Sequence, residues 1–395
     1  MSGVQICDDT SVNNEVTEYQ TFDEMNIDAP LLRGIYAYGF EHPSVIQQRA
    51  IVPLSQGRDI LAQSQSGTGK TATFLIGTLM QITKDYVENP QILIITPTRE
   101  LALQIKSVSD ALSHYKGTKC RALIGGSSVQ DDIHKLKNEV NHVLVGTPGR
   151  ILHLLSKKHL CLSDLKCVVL DEVDEMLSVG FEGQIREIFD DISKDCQVAL
   201  FSATLSEHSK SIAKMILNNP LQILVKNAEV TLDGISQFFI NVQREDYKFA
   251  TLLDIYDKLS ISQTIIYVNS KKKADILQAD LEREGHSVSC LHGDLSQKER
   301  NQVLNEYRSG TARILIATDI IARGIDIQQV SIVINYDLPV QKETYIHRIG
   351  RSGRFGRKGV AINMVAHYDE QKLKDIEQYY STEICEMPMD ISDYI

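Results

Sequence analysis

The 395-residue sequence lacks several features that would place it in a membrane or secreted class. It contains no apolar run of transmembrane length, which argues against a membrane-spanning helix. Its seven cysteines are odd in number and form no CxxC pair, a pattern typical of reduced thiols in a cytosolic or nuclear protein. The first twenty residues are polar and acidic, unlike a signal or transit peptide, and we expect residues 1–20 to form a flexible tail.

An excess of positive charge is also missing. The sequence has 41 Lys and Arg against 52 Asp and Glu, a net charge of −11 at pH 7. This net negative charge argues against binding of nucleic acid or of an anionic membrane through the overall charge of the protein. A polyanion must therefore be held by a local basic surface, with strong salt dependence. The composition is otherwise that of a soluble globular protein, and the length favours two domains.

Short apolar runs recur between longer amphipathic stretches in both halves of the chain. The first half contains DILAQS, QILIITPT, CVVLDE and QVALFSAT, and the second contains QTIIYVNS, SVSCLHG, RILIATD and SIVINYD. Such runs, alternating with helical patterns, indicate buried parallel strands in α/β units. A polar break at residues 226–234 predicts a short linker between domains at 21–225 and 235–395. Open α/β sheets bind ligands at the carboxyl ends of their strands, so we expect the chemistry there.

The segment SQSGTGKT follows a predicted strand and precedes a helical pattern. Its glycines allow backbone N–H groups to approach phosphate oxygens at a helix N-terminus, which favours anions. Lys70 can reach the outer phosphates, and the Thr71 hydroxyl can ligate Mg²⁺. A plain glycine turn before a helix is the weaker interpretation, because strand, helix and GKT occur together. The predicted ATP-binding residues are Ser64, Gln65, Ser66, Gly67, Thr68, Gly69, Lys70 and Thr71.

Four carboxylates follow a buried strand pattern in the segment DEVDE. Asp171, at the strand end, is predicted to hold Mg²⁺ through its water shell, and Glu172 to orient and deprotonate an attacking water. A solvated acidic turn is the alternative. DEVD also resembles a caspase cleavage string, but proteases need an exposed, extended segment. The position after a buried strand and downstream of GKT favours the Mg²⁺ site.

These two motifs together make the chain resemble the DEAD-box RNA helicases of superfamily 2, most closely the eukaryotic translation initiation factor 4A type. The resemblance covers nearly everything from Thr21 onward. It implies an α/β fold of two RecA-like parallel-sheet domains joined by a short linker. It also implies an RNA-stimulated ATPase that couples ATP binding and hydrolysis to local, non-processive unwinding of RNA duplexes. Val173 replaces the alanine of the family motif, and Ser64 replaces the usual Gly or Ala; we expect Val173 to affect coupling and Ser64 to be tolerated.

The resemblance assigns nucleotide-binding roles outside the phosphate loop. GFEHPSVIQ is similar to the family's Q motif, in which Gln47 would read the adenine edge and Phe40 would pack against the ring. The segments ATDIIARGIDI, NYDLP and YIHRIGRSGRFGR match signatures of the second domain. Asp326 would bind the ribose, and Arg351 and Arg354 would act as arginine fingers on the γ-phosphate.

Other segments match the family's RNA-binding and coupling motifs. PTRELA, the pair Gly125–Gly126 and TPGR match RNA-binding motifs of the first domain, and SAT matches the element that couples hydrolysis to unwinding. His347 is expected to bridge to SAT or to RNA rather than act as a base, with an inert packed histidine as the alternative. The implied RNA-binding residues are Pro97, Thr98, Arg99, Gly126, Thr147, Arg150 and Thr318, and the implied coupling residues are Asp174, Ser202 and Thr204.

Two functions from different classes remain open at this point. The first is an unwinding enzyme of translation initiation, cytoplasmic and monomeric, that binds single-stranded or short duplex RNA and scaffold proteins. The alternative is an ATP-gated RNA clamp of the exon-junction paralogue type, which could be nuclear. In both, ATP would close two domains over RNA, with contacts to the sugar–phosphate backbone and 2′-hydroxyls.

Overall fold

The computed structural model describes residues 17–64, 68–83, 89–178, 180–224, 235–258, 263–319, 330–352 and 359–388. The chain divides into two compact units, Met1–Val225 and Lys226–Ile395. Each unit contains a seven-stranded parallel sheet flanked by helices. This confirms the predicted α/β fold of two RecA-like domains. The predicted linker and residues 1–16 of the predicted tail lie outside the described residues, so the domain boundaries stay a prediction.

The strands of the first unit are those that the apolar runs indicate, with further ones between them. They are β1 (Ile60–Gln63), β2 (Ile92–Ile95), β3 (Cys120–Leu123), β4 (Val143–Gly146), β5 (Cys167–Asp171), β6 (Gln197–Ser202) and β7 (Leu221–Leu224). Their order across the sheet is β3-β4-β2-β5-β6-β1-β7. The order departs from the chain order, so segments far apart in the sequence meet at one edge.

Both faces of this sheet are buried, which explains why its strands read as continuous apolar runs. In β2, Ile92 and Ile94 pack into one hydrophobic cluster, whereas Leu93 and Ile95 pack into another on the opposite face. Alternation of this kind follows from the two-residue period of a strand. The covering helices are α1 (Ala29–Ala37), α2 (Val45–Ser55), α3 (Lys70–Gln81), α4 (Arg99–Leu112), α5 (Val129–Asn138), α6 (Pro148–Ser156), α7 (Val173–Ser178), α8 (Glu182–Asp190) and α9 (Glu207–Ile216), with a 3-10 turn at Asp23–Met25.

The second unit repeats the architecture. Its strands are β8 (Ile235–Gln243), β9 (Thr264–Tyr267), β10 (Val288–Leu291), β11 (Ile314–Ala317), β12 (Ile332–Asn335), β13 (Gly359–Ala366) and β14 (Cys385–Glu386). They lie in the order β10-β11-β9-β12-β13-β8-β14. The described helices are α10 (Lys248–Lys258), α11 (Lys271–Arg283), α12 (Gln297–Arg308), α13 (Glu343–Ile349) and α14 (Glu370–Tyr380), with 3-10 turns at Glu245–Tyr247 and His367–Asp369.

Helix starts in both units follow local capping chemistry. Ser44 and Gln47 form a capping box at the start of α2, and Ser296 and Glu299 form one at α12. Thr98 caps α4 by accepting a hydrogen bond from Leu101 N at 3.2 Å. Among the described residues, no helix combines the length and the apolar character needed to span a membrane.

Candidate active site

The carboxyl edge of the first sheet carries the motifs singled out in that half of the chain, except the Q motif, which lies in the loop after α1 and the start of α2. The adjacent strands β5, β6 and β1 end at DEVD, SAT and SQSGTGKT, the segments predicted to bind or act on ATP. Strands β2, β4 and β3 end at PTRELA, TPGR and the pair Gly125–Gly126, the segments predicted to bind RNA. Because the strands are parallel, their carboxyl ends share one edge. The edge is thus divided into a nucleotide half and an RNA half, with β5 and β2 as neighbours.

Hydrogen bonds near both ends of the phosphate loop hold it in place. Ser64 N donates to Ser202 O at 3.0 Å, which ties the loop to the neighbouring strand β6. Ser64 Oγ lies 2.5 Å from Thr68 Oγ1, so the serine that departs from the family pattern fits within the loop. Lys70 Nζ donates to Ser64 O at 2.9 Å, and Lys70 is only 6% exposed. Gln65, Ser66 and Gly67 lie outside the described residues.

Gln47 of the Q motif contacts the phosphate loop directly. Its Nε2 atom lies 3.4 Å from Gly69 O, and its Oε1 atom accepts a hydrogen bond from Ser44 N at 2.9 Å. Gly69 has φ of 99°, and a Cβ at this position would lie 2.6 Å from Gln47 Nε2. Glycine is therefore needed both for the turn and for the approach of Gln47. Half-buried Thr71 lies in the first turn of α3, which starts at Lys70.

Phe40 occupies an intermediate position between core and surface. It is half-buried, packs against the hydrophobic cluster below it, and its ring centroid lies 5.0 Å from that of Tyr38, which is 44% exposed. A half-buried aromatic ring beside an exposed one can stack on a planar ring. Phe22, the other aromatic of the Q-motif region, is fully buried and is a core residue.

Asp171 and Glu172 place two carboxylates at the end of β5. Asp171 is 2% exposed, and burial together with the neighbouring Glu172 raises the pKa of its carboxyl to about 8, against the opposing effect of Lys70. Glu172 Oε1 lies 3.4 Å from Lys70 Nζ, and its side chain is 15% exposed. Glu172 Oε2 is buried and has no hydrogen-bond partner in the described part of the chain.

The residues of this corner fit a divalent cation and a polar ligand. A single lysine amine lies beside two adjacent carboxylates, one buried and one half-buried, an arrangement that a bound cation would stabilise. The Glu172 oxygen without a partner among the described residues is a hydrogen-bond acceptor, and Glu172 has φ of 52°, a strained value for a residue with a side chain. Asp171 and Thr71 offer the oxygen donors that Mg²⁺ prefers.

The third acidic residue of the motif has a different partner. Asp174 accepts hydrogen bonds from the hydroxyls of Ser202 and Thr204, so DEVD is bonded to SAT. Val173, between the two carboxylates, is fully buried in the hydrophobic cluster on one face of the sheet. The extra methyl groups of valine are thus packed within the core and not beside the nucleotide loop.

In the RNA half of the edge, the two glycines make room for an arginine. A Cβ at Gly125 would lie 2.9 Å from Arg99 Nη2, and a Cβ at Gly126 would lie 2.6 Å from Arg99 Nη1. The Arg99 guanidinium is therefore close to the backbone of the pair. Thr98 and Thr147 are half-buried at the starts of α4 and α6, and Pro97 is buried. Helix N-termini at these positions can receive phosphate groups.

Arg150 has structural partners within its own unit. It is 8% exposed, forms a salt bridge with Asp132, and donates to Ser127 Oγ at 3.1 Å and to Ser127 O at 2.8 Å. These bonds connect α6 to the loop after Gly126 and to α5. Sequence reasoning selected Arg150 as an RNA contact and gave no sign of Asp132, because nothing in the local pattern marks their approach.

In the second unit, a buried arginine to which the sequence analysis assigns no role bonds to several strand ends. Arg348 is 1% exposed and donates to Asp319 Oδ1 at 2.5 Å, Asn269 Oδ1 at 2.8 Å and Asp337 O at 2.6 Å. A further bond reaches Asn335 Oδ1 at 3.1 Å. Arg348 thus connects the ends of β9, β11 and β12 with α13. The spacing of arginines in HRIGRSGR does not reveal which of them points inward.

The other candidates of this unit lie near that arginine. Arg351 is 6% exposed and donates from Nε to His347 O at 3.2 Å, and His347 is 3% exposed. Thr318 is buried at the end of β11, where its N–H donates to Leu291 O at 3.2 Å. Asp326 and Arg354 lie outside the described residues.

Comparison with known families is decisive. Residues 44–212 match the DEAD/DEAH box helicase family, and residues 247–356 match the helicase conserved C-terminal domain. The chain is 51% identical to eukaryotic initiation factor 4A of Dictyostelium discoideum over 98% of this chain and 95% of that protein. The chain belongs to the DEAD-box helicases of the initiation factor 4A type. It is therefore an ATP-dependent RNA helicase with RNA-stimulated ATPase activity, as its motifs predict.

Solved structures of other helicases show the same fold. Dbp5 of S. cerevisiae, bound to RNA and ADP BeF3, is 39% identical with a TM-score of 0.87 over 95% of this chain and 97% of that chain. A DEAD box protein from the hyperthermophile Methanococcus jannaschii is 35% identical with a TM-score of 0.57 over 94% of this helicase and 100% of that chain. This helicase binds nucleotide and RNA, as its family does.

Proposed function

We propose that this helicase separates short RNA duplexes locally. ATP bound at one site would drive the separation of the strands, and residues next to that site would hold the RNA by its sugar–phosphate backbone. The observation that carries the proposal is the position of Lys70 and Glu172. Their charged groups are 3.4 Å apart within the nucleotide half of the edge, and Glu172 follows β5, the strand that borders the RNA half. An acid placed there can respond to both ligands.

In this proposal Lys70 binds the outer phosphates and Glu172 orients and deprotonates the attacking water. Glu172 Oε2, which has no partner among the described residues, can accept a hydrogen bond from that water. Asp171 and Thr71 would hold Mg²⁺, which when bound offsets the charge of the phosphate oxygens. Gln47 and Phe40 would select adenine by its edge and its face, as the Q-motif resemblance implies.

We assign the coupling of ATP hydrolysis to RNA unwinding to the contact between DEVD and SAT. Asp174 accepts from both Ser202 and Thr204, and Ser202 O in turn accepts from Ser64 N of the phosphate loop. A change at the phosphates is therefore transmitted to β6 through bonded groups. The proposal assigns RNA to Thr98, Arg99, Gly126, Thr147 and Thr318, with contacts to the sugar–phosphate backbone that carry little sequence information.

The second unit is proposed to complete the ATP site. It has no GKT motif of its own, and its arginines would supply the positive charge that offsets the developing charge on the γ-phosphate. We assign this role to Arg351 and Arg354, with Asp326 on the ribose and His347 as a bridge to SAT or to RNA. Closure of both units over RNA would explain how a chain with a net charge of −11 binds a polyanion.

The cellular role that we propose is translation initiation, in the cytoplasm, as a monomer that works with scaffold proteins. The support is the 51% identity to an initiation factor over nearly the full length of both chains. An RNA clamp of the exon-junction paralogue type is the second candidate, since the two uses share the same motifs.

Measurements of ATP turnover and RNA release distinguish the initiation helicase from the RNA clamp. The helicase is mixed with a labelled short RNA duplex and ATP, and ATPase rate, strand separation and RNA release are followed together. The proposal predicts ATPase stimulation by RNA, separation of short duplexes and release of RNA after hydrolysis. RNA that stays bound after hydrolysis, in a complex stabilised by partner proteins, would instead support the clamp.

A further inference from the structure

A cluster of three metal-ligating side chains lies in the second unit, beside the end of β11 that carries Thr318 and made of residues to which no role is assigned above. Asp275 lies on α11, Cys290 lies on β10, and His292 follows the end of β10. One ligand atom from each side chain lies within 4.8 Å of the other two. Cys290 and His292 are 8% and 7% exposed, whereas Asp275 is on the surface. The cluster is therefore open on the side of the carboxylate and closed on the others.

His292 is a buried histidine without the hydrogen bonds that such a residue normally makes. Its Nδ1 atom is buried and has no partner in the described part of the chain. Its Nε2 atom lies 3.6 Å from Asp275 Oδ1, which is longer than a hydrogen bond. Buried polar atoms are almost always satisfied, and a missing water or ion is a common reason for an exception. Nε2, not Nδ1, faces the carboxylate, so Nε2 is the nitrogen that an ion at this cluster would bind.

The separation of the donor atoms suits a tetrahedral metal ion. Zinc binds imidazole nitrogen and carboxylate oxygen at about 2.0–2.2 Å and thiolate sulfur at about 2.3 Å, so neighbouring donors lie about 3.3–3.6 Å apart. The 3.6 Å between His292 Nε2 and Asp275 Oδ1 matches that spacing. Rotation of the exposed Asp275 side chain can bring its oxygen closer to Cys290.

The donor set of one thiol, one imidazole and one carboxylate selects the metal by its chemistry. A sulfur donor excludes Mg²⁺ and Ca²⁺, which prefer oxygen ligands, and the mixed set suits a borderline-soft ion. We propose that Asp275, Cys290 and His292 bind Zn²⁺, with water as the fourth ligand. The site is independent of the ATP site and of the function proposed above.

Binding has two physical consequences. Cysteine binds a metal ion as the thiolate, so binding requires that the Cys290 thiol lose its proton. Coordination removes that proton, which is released to solvent. The ion also ties α11 to the end of β10, so it stabilises the folded second unit over the unfolded chain.

The proposal is tested on the full-length chain, free of nucleotide and in excess Mg²⁺, so that the ATP site does not take up the probe. Zn²⁺ binding is measured by competition with a chromophoric chelator, and Co²⁺ is used as a spectroscopic probe of sulfur ligation. The variants are Cys290→Ser and Asp275→Asn, the second of which changes only a surface side chain. Cys385→Ser is the matched control, because Cys385 is an exposed thiol of the same unit.

We expect the parent and C385S to bind Zn²⁺, to gain thermal stability from it, and to show thiolate-to-cobalt charge-transfer absorption. Cys290→Ser is expected to lose that absorption, and D275N to bind Zn²⁺ at least about tenfold more weakly. An unchanged charge-transfer band in C290S would overturn the assignment, since another thiol would then hold the ion. Absence of Zn²⁺ binding in the parent chain would overturn it as well.

Discussion

Lys70 Nζ lies 3.4 Å from Glu172 Oε1, although the two residues are separated by about a hundred positions and lie on different elements. The contact exists because β1 and β5 both end at the carboxyl edge of the sheet, on either side of β6. It brings the predicted phosphate-binding amine to the predicted water-activating acid. The neighbouring Asp171 adds a second carboxylate to the same corner.

Replacement of Glu172 by glutamine tests its assignment as the base. The amide keeps the shape of the side chain but cannot accept the proton, and a general base contributes a factor of about 10²–10⁴ to a rate. We therefore expect E172Q to lose RNA-stimulated ATP hydrolysis by about that factor while it keeps ATP-dependent RNA binding. Steady-state ATPase and filter-binding assays give both quantities. Glu187→Gln, at an exposed position on α8, is the control, and normal hydrolysis by E172Q would disprove the assignment.

The substitution Asp132→Asn tests whether Arg150 contacts RNA directly or positions the loop after Gly126. The Arg150 and Asp132 side chains are 7% and 9% exposed, so loss of one charge leaves the other buried and unpaired, at a cost of about 3–5 kcal/mol. If Arg150 positions the loop after Gly126, D132N will weaken RNA binding nearly as much as Arg150→Ala. Denaturant unfolding and RNA titration measure the two effects.

Asp131→Asn is the matched control for that pair, since Asp131 is the exposed neighbour on the same helix. Full RNA affinity in D132N, together with weakened RNA binding in R150A, would show that Arg150 contacts RNA itself.

Val173→Ala examines the residue that departs from the family motif. Because Val173 is fully buried, its truncation leaves a cavity and should lower the free energy of unfolding by about 1–3 kcal/mol. We expect a modest change in the RNA-stimulated ATPase rate and none in ATP affinity, since the side chain faces the core. Val140→Ala, at a position 54% exposed, is the control. A large change in the Kd for ATP would contradict this expectation.

The second unit carries a pH-dependent contribution to stability at Glu245. Burial by itself raises the pKa of this carboxyl, but hydrogen bonds from Lys273, Tyr368 and Lys248 outweigh it and lower the pKa from 4.5 to about 2. A lowered folded-state pKa stabilises the fold above the unfolded value and ceases to do so as pH falls towards 2.

Thermal unfolding of Glu245→Gln against the parent chain measures this contribution. The Tm difference should be greatest above pH 4.5 and shrink as pH falls below it. Glu386→Gln, at an exposed position, is the control. A Tm difference that is constant with pH would show that the charge of Glu245 plays no part.

Much of the fold could be predicted from local sequence patterns, whereas the arrangement of residues in the site could not. Each of the eight apolar runs contains a strand, because burial on both faces demands continuous apolar sequence. Strand β3 (CRAL) has too mixed a composition to be recognised. The strand order is set by packing between distant segments, so the division of the edge into two halves could not be derived from motif spacing.

The contacts of individual side chains could not be predicted from the sequence either. Gln47 was assigned to adenine by resemblance, but its contact with Gly69 depends on how α2 packs on α3. Arg348 and Arg150 look like surface cations in the sequence, yet each is buried among acceptors that come from other elements. The positive φ of Glu172 likewise cannot be predicted from the string DEVD, although it is a strained backbone conformation at the candidate base.

The central claim is that a single ATP site needs residues of both units, and the RNA-stimulated ATPase rate of the full-length double variant Arg351→Ala, Arg354→Ala tests it most directly. Arginine fingers contribute a factor of about 10³–10⁵ in related phosphoryl-transfer enzymes, so we predict a fall to the unstimulated rate with ATP still bound. Arg283→Ala, on the exposed side of α11, is the control. RNA-stimulated hydrolysis at the parent rate in the double variant would contradict the claim.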